Sequence, residues 1–475
     1  MPVDRQGGSR PTIAKRRWPA PGVSSSRNGD FMPSYSARVL VYDADLEHPF
    51  DLPAKLEQHD YFCIQVENEA DAVEAVVKAH PDVVIVNTLP AESSWSALSD
   101  AVHTTWRNRQ APVILIGESA GIEKKVASFR SKVADYLPAN FHDQQLFARL
   151  QALLRINTMH EELLRRIFTV EKYGIKDIEA VSPEVEVEDA RVVLLGRDAA
   201  ELDELQEALG SQRVVARLDD PFATMAALTE KGVDGLIVAS QGEDQDFFGF
   251  CSDVRHNSRL FNLPILVIVD EGVFEADEMQ LARGATEPIQ RPIMADDLKT
   301  RLELLIIQQR YRFAVRKVFM QSLRPVTSDG LTGLYSHGFL HEHLASQIAD
   351  AEEWQKHLAV GFFDIDLFAD INAEFGYVAG DLLLRQIGTM ISGLLRAEDL
   401  SARYAGGSFV VVLPETPLQV AEIALQRIAA VVRFTELAIA AAEEPITVAL
   451  SLGVTAFEAG DDAESLIARA REGMR

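Results

Sequence analysis

The feature that most constrains this chain is a βα pattern that occurs twice. Ala37–Tyr42 is a short apolar run ending at Asp43, and Tyr61–Val66, Val83–Val86, Pro112–Ile116 and Ala134–Leu137 follow at domain-like intervals. Between them lie amphipathic stretches such as Glu69–Ala79. Apolar strands alternating with helices predict a parallel sheet covered on both faces. The pattern then returns. Arg191–Leu195 matches the first strand, Val233–Val238 the third and Leu263–Val269 the fourth, and Gln290–Ile293 matches the connection before the last helix. A repeated unit of roughly 120 residues is a whole duplicated domain, since that is an ordinary domain size. The two units are predicted at 36–160 and 188–312. A third, at 326–475, has a different pattern, and residues 1–31 read as a disordered tail rich in Gly, Pro and Ser.

Composition narrows the function. Lys and Arg number 46 against 72 Asp and Glu, a net charge of −26. A protein that coats nucleic-acid phosphates needs a basic face, so that class is excluded, while a small nucleotide needs only a few arginines. The two cysteines, Cys63 and Cys251, support neither a disulfide framework nor a zinc ribbon. No apolar run approaches the roughly 18 residues of a membrane-spanning helix, so no membrane insertion is expected and a cytoplasmic location is.

The two copies resemble the receiver domains of response regulators. Members of that family carry a phosphoacceptor Asp at the end of the third strand and an acidic pair after the first. Here Asn87 stands at the acceptor position, Ala44 beside Asp43, Gly117 at the Ser/Thr position and Ala139 at the lysine. In the second copy Gly196 and Arg197 replace the acidic pair and Ala239 the acceptor. An amide is a very poor nucleophile. Neither copy is therefore expected to take a phosphoryl group, and both are expected to act as packing and docking modules. Leu146, Leu150, Leu153, Leu154, Leu163, Leu164 and Ile167 fall at helical spacing, as do Leu302–Ile307 with Tyr311 and Val315. These predict long terminal helices that either join the domains or pair with another chain.

The third unit has six short motifs in order. They are Asp329–Tyr335; Leu358–Phe363 ending in Asp364-Ile365-Asp366; Asn372 with Phe375–Asp381; Arg396-Ala397-Glu398-Asp399; Arg403–Phe409; and a late strand, Ile446–Gly453. This order resembles the GGDEF domain of diguanylate cyclases, so the whole chain resembles the PleD-type architecture, receiver–receiver–GGDEF. The resemblance implies a fold class: α/β, with two doubly wound (βα)5 domains followed by a nucleotide-cyclase palm-like α+β domain. It also implies a site. Attack of a hydroxyl on an α-phosphate needs divalent metal on two carboxylates. Asp364 keeps one. Gly407 stands at the other, Ser408 and Ala405 alter the signature beside it, and Ala369, Ala470 and Met474 replace phosphate-side positions. Asp364 is thus a vestigial metal ligand and no metal is expected. Asn372 and Asp381 match the guanine-reading pair as a vestigial site, or else serve to cap a turn.

The family's Arg-x-x-Asp product site is retained as Arg396 and Asp399, with Arg427 on the next helix. An Arg fork matches the O6/N7 edge of guanine. The expectation is a degenerate, non-enzymatic domain that binds cyclic di-GMP at Arg396, Asp399 and Arg427. The resemblance further implies a two-component signalling effector and likens the chain to an adaptor. Such an adaptor, loaded with cyclic di-GMP, helps deliver a cell-cycle regulator to the ClpXP protease through partners such as RcdA, as a homodimer at a cell pole. A residual cyclase and a ligand-independent receiver scaffold are the alternatives.

Overall fold

In the computed structural model the described residues are 36–44, 51–89, 95–103, 111–118, 126, 133–139, 141, 143–175, 186–210, 213–230, 232–241, 245–257, 259–260, 262–270, 284–322, 326–439 and 444–474. The tail predicted at 1–31 lies outside them.

The first sheet contains β1 (Ala37–Tyr42), β2 (Tyr61–Val66), β3 (Val83–Asn87), β4 (Val113–Gly117) and β5 (Val133–Pro138). Its order is β2-β1-β3-β4-β5, all parallel. The second contains β6 (Val192–Gly196), β7 (Val214–Leu218), β8 (Gly235–Ala239), β9 (Ile265–Val269) and β10 (Glu287–Gln290), in the corresponding order β10-β9-β8-β6-β7. The central strands VVIVN, VILIG, VVLLG and ILVIV are buried along their whole length. β-Branched residues favour the extended backbone, and helices cover both faces, so no polar alternation is required. Helix starts are set locally. Asn68 accepts from Asp71 N ahead of Glu69–Ala79, and Asp198 accepts from Ala200 N and Glu201 N ahead of Ala199–Leu209.

The third sheet is antiparallel, in the order β12-β13-β11-β14, with β11 (Leu358–Ile365) central, β12 (Leu400–Ala405), β13 (Ser408–Pro414) and β14 (Leu450–Ala456). The last strand begins later than the sequence pattern suggests. Ile446 instead makes an isolated bridge to Leu437. The helix Ala463–Glu472 lies against β14 so closely that a Cβ on Gly453 would sit 1.9 Å from Ala470 O.

Two long helices, Asp143–Glu171 and Ala295–Ser322, join the units. They pack on each other through Ile156, Met159 and Leu163 against Tyr311, Val315 and Phe319. Their apolar stripes are thus satisfied within one chain and form a stalk. The two receiver-like units also meet directly. Arg149 bridges Asp135 at 2.8 Å and reaches Glu287, which Arg301 also holds, and Arg301 pairs with Asp297 at 2.7 Å.

Candidate functional site

In the first unit, β1 delivers Asp43 and β3 delivers Asn87 to the same end of the sheet. Asn87 Nδ2 donates to Asp43 Oδ1 at 2.9 Å, and both residues are buried. Asn87 Oδ1 accepts from Leu89 N, and Thr88 Oγ1 donates to Ile116 O. The amide thus pairs directly with the carboxylate. In the second unit a Cβ on Gly196 would lie 3.0 Å from Ala239 Cβ, so no acidic side chain fits there without movement. Arg291 spans the space instead. It donates to Ser240 O and Asp270 Oδ1 at 2.8 Å each and twice to Glu201 Oε1. Each guanidinium nitrogen of Arg291 thus donates to a partner within the chain.

In the third unit β11 ends at Asp364, directly across from Ser408 in β13. Ser408 Oγ donates to Asp364 Oδ1 at 2.5 Å. Asp366 accepts from Ser451 Oγ at 2.6 Å. At Gly407 the missing side chain matters sterically, because a Cβ would lie 3.1 Å from Phe368 Cβ and Cγ. Among the described residues no group of three or more His, Cys, Asp or Glu is placed to hold a metal. Asn372 packs against the backbone of Gly380, where a Cβ would fall 1.9 Å from Asn372 Oδ1. Asp381 is exposed on the helix Tyr377–Leu394. Arg403 lies in the fields of Asp329 and Asp381, with burial lowering its pKa, and its Nε and Nη1 have no hydrogen-bond partner among the described residues.

The turn Arg396–Asp399 precedes β12. Asp399 Oδ2 accepts from Arg396 N at 2.8 Å, which closes the turn. Asp399 is only 7% exposed. Burial, and then the charge of Glu398, pushes its carboxyl up to about 7. The side chains of Arg396 and Arg427 are exposed, Arg427 on the helix Leu418–Arg433. What the sequence did not disclose is the stalk's grip on this turn. Arg166 donates to Glu398 O at 2.8 Å and Asp399 O at 2.9 Å, and Arg155 Nε pairs with Glu398 Oε1 at 3.2 Å. Helical spacing alone carries no signal for these partners, which are more than 200 residues away.

The family model for "Diguanylate cyclase, GGDEF domain" matches residues 326–475. Residues 326–475 are a GGDEF domain. The response regulator PleD of Caulobacter vibrioides is 27% identical over 441 residues, 92% of this chain and 96% of that protein. The chain therefore has a PleD-like receiver–receiver–GGDEF architecture. The diguanylate cyclase DgcP of Pseudomonas aeruginosa is 36% identical over 152 residues, 31% of this chain and 22% of that protein. The GGDEF domain of DgcB from Caulobacter crescentus, solved in complex with c-di-GMP, is 27% identical, covers 31% of this chain and 85% of that one, and has a TM-score of 0.30. Within this GGDEF domain, the Asp364 carboxylate is hydrogen-bonded to Ser408. Among the described residues no helix is long and apolar enough to cross a membrane.

Proposed function

We propose that this protein is a catalytically inactive receptor for cyclic di-GMP that acts as a signalling adaptor. The observation that carries the reading is the pairing of Ser408 with Asp364 beside Gly407. The second carboxylate is gone, and the first is bound to a hydroxyl. A single carboxylate holds Mg²⁺ poorly, and the metal-assisted step has no site. The Arg396–Asp399 turn and the exposed Arg427 keep the residue types that read guanine: an Arg fork for O6/N7 and a carboxylate for N1–H and N2–H₂.

Both receiver units support the same reading. Asn87 and Arg291 close the two former phosphorylation sites with internal hydrogen bonds, which leaves these units as docking modules. The combination resembles PopA, a cyclic di-GMP effector. On that resemblance the protein, in its ligand-bound form, delivers a cell-cycle regulator to ClpXP through an adaptor such as RcdA. Ligand controls docking only through unequal affinity for two arrangements of the chain.

Calorimetric titration of cyclic di-GMP into the full chain, beside Arg396→Ala, tests the receptor. Micromolar or tighter binding, lost in the variant, is expected. Turnover of GTP to cyclic di-GMP by the wild-type chain would overturn the inactive assignment. Absence of binding would leave the ligand-independent scaffold. For delivery, reconstituted ClpXP with RcdA is expected to degrade its substrate faster only when both the protein and cyclic di-GMP are present.

A further inference from the structure

The GGDEF domain's opening helix, His337–Trp354, begins with a histidine pair that the receptor reading does not use. His337 and His341 are about one helical turn apart, so their side chains leave the helix on the same face. Their ring centroids lie 4.4 Å apart, with the planes 39° from parallel. Tyr404, on β12, brings its ring to 4.8 Å from His337 and 6.3 Å from His341. The start of the helix Ala463–Glu472 completes the surroundings, because the charges of Glu464 and Asp462 act on His341.

His341 Nε2 is shielded from water and has no hydrogen-bond partner among the described residues. Such an atom is normally satisfied, and a bound ion would satisfy it. His337 is exposed, so the pair is open to solvent on one side. Burial lowers the pKa of His341, the adjacent His337 lowers it further, and Glu464 and Asp462 oppose the fall. At neutral pH the His341 ring is therefore uncharged, which is the form that offers a lone pair to a metal.

The spacing decides how an ion is held. Imidazole nitrogens bind divalent transition ions at about 2.0–2.1 Å, so two rings on adjacent positions of a square or octahedral ion have centroids about 4.5 Å apart. The observed 4.4 Å matches that arrangement. Histidines at i and i+4 on one helix face are a recurring metal-binding pair. The positive end of the helix opposes a cation, and the charges of Asp462 and Glu464 offset it. We infer that His337 and His341 chelate a divalent transition ion of the class that prefers imidazole, Cu²⁺ foremost, with water in the remaining positions. Two rings are fewer ligands than the sets of three or more excluded above, so the ion is exchangeable rather than structural. The site shares no residue with Asp364 or with the Arg396–Asp399 turn.

The test is titration of Cu²⁺ into the full chain, free of affinity tag and chelator, beside His337→Ala. The wild type is expected to take up one strongly held equivalent, with an electron paramagnetic resonance spectrum showing at least two nitrogen ligands. His337→Ala is expected to hold that equivalent at least tenfold more weakly. Its thermal midpoint without metal and its binding of cyclic di-GMP are expected to match the wild type, so this site and the receptor reading fail independently. Equal uptake by the two proteins would overturn the site, because the ion would then sit on other histidines. A wild-type spectrum with a single nitrogen ligand would overturn it as well. If His337→Ala does not fold, hydrogen–deuterium exchange of the wild type decides: Cu²⁺ that leaves 337–341 unprotected is bound elsewhere.

Discussion

Glu162 Oε1, on the stalk, accepts a hydrogen bond from His343 Nε2 at 2.6 Å, on the first helix of the GGDEF domain. Neither side chain is exposed to solvent. Arg166 Nε also donates to Glu162 Oε1 at 3.0 Å, and Gln347 Nε2 donates to Oε2 at 3.1 Å, beside Arg165. Burial opposes ionisation of Glu162, but the facing His343 and two arginines hold its carboxyl well below the usual carboxylate range. Burial lowers the pKa of His343, and the facing Glu162 carboxylate opposes the fall. Glu162→Ala leaves the buried Arg166 with carbonyl partners only and no carboxylate to balance its charge. The expected cost is about 3–5 kcal/mol, as for a broken buried pair, read as a fall in the denaturant midpoint. A cost below about 1 kcal/mol would show that the stalk does not depend on this contact.

Asn87→Asp tests whether the first receiver unit is closed to phosphorylation by one residue or by its surroundings. The new carboxylate would face Asp43 at the 2.9 Å now spanned by an N–H donor. Like charges at that distance raise one pKa of the pair. The variant is expected to be less stable than wild type at neutral pH and to recover as the pH falls through the raised pKa. With Ala44 and Ala139 in place it is not expected to take phosphate from acetyl phosphate, which mass spectrometry would check.

Gly407→Asp is not expected to restore cyclase activity. Its Cβ would enter at 3.1 Å from Phe368, and Ser408 would still engage Asp364. Overpacking of this kind costs about 1–3 kcal/mol. The expected result is a lower thermal midpoint with no cyclic di-GMP formed from GTP. Measurable product would return the domain to the enzymes.

Asp399 makes stability depend on pH in a calculable direction. Its folded pKa is raised to about 7, above the roughly 3.9 of an exposed aspartate. Between those values the folded state holds a proton that the unfolded state has released. The group's favourable contribution is therefore full below about pH 4 and is lost as pH rises to about 7. Asp399→Asn keeps an acceptor for Arg396 N without the titration. Its stability relative to wild type is expected to climb from pH 4 to 7 and then level off. A difference that stays flat across this range would show that Asp399 does not titrate near neutrality.

The two parallel sheets were legible because Val- and Ile-rich runs such as Val83–Val86 need only local sequence to declare themselves. Their duplication let the strands of the second sheet be matched to those of the first. Gly407 and Ser408 were aligned from Arg403-Tyr404 and Phe409 without a gap, and Asp364 as the first Asp after the central strand. The start of β14 was misjudged because Ile446 is apolar yet only bridges Leu437. The stalk helices could be read, but whether they paired within the chain could not, since the same leucine spacing serves both outcomes. The least legible features were the long-range charged contacts. Nothing near Glu162 in sequence announces His343, and nothing near Glu398 announces Arg155. Charge pairing across more than a hundred residues leaves no local period.

Lys356 joins three parts of the chain. Its Nζ lies 3.0 Å from Asp82 Oδ1 in the first receiver unit and 3.5 Å from Glu161 Oε2 on the stalk, and it also pairs with Glu415 of its own domain. Nearby, Arg38 donates to Trp354 O at 3.0 Å and stacks over the Trp354 ring, and His357 meets Asp60. The first receiver unit is thus docked on the GGDEF domain through the short stretch 354–357. Burial raises the pKa of Glu415, Lys356 opposes the rise, and Glu161 and Asp82 add to it. Lys356→Met removes the cation that keeps these carboxylates together. At neutral pH the expected loss is about 3–5 kcal/mol. Acid should partly restore it, since a protonated Glu415 no longer repels its neighbours. The docking contact should loosen before the domains unfold, seen as a larger radius of gyration by small-angle X-ray scattering. A variant with the wild-type radius and an unchanged unfolding midpoint would mean that Arg38, Trp354 and His357 hold the first unit in place without the lysine.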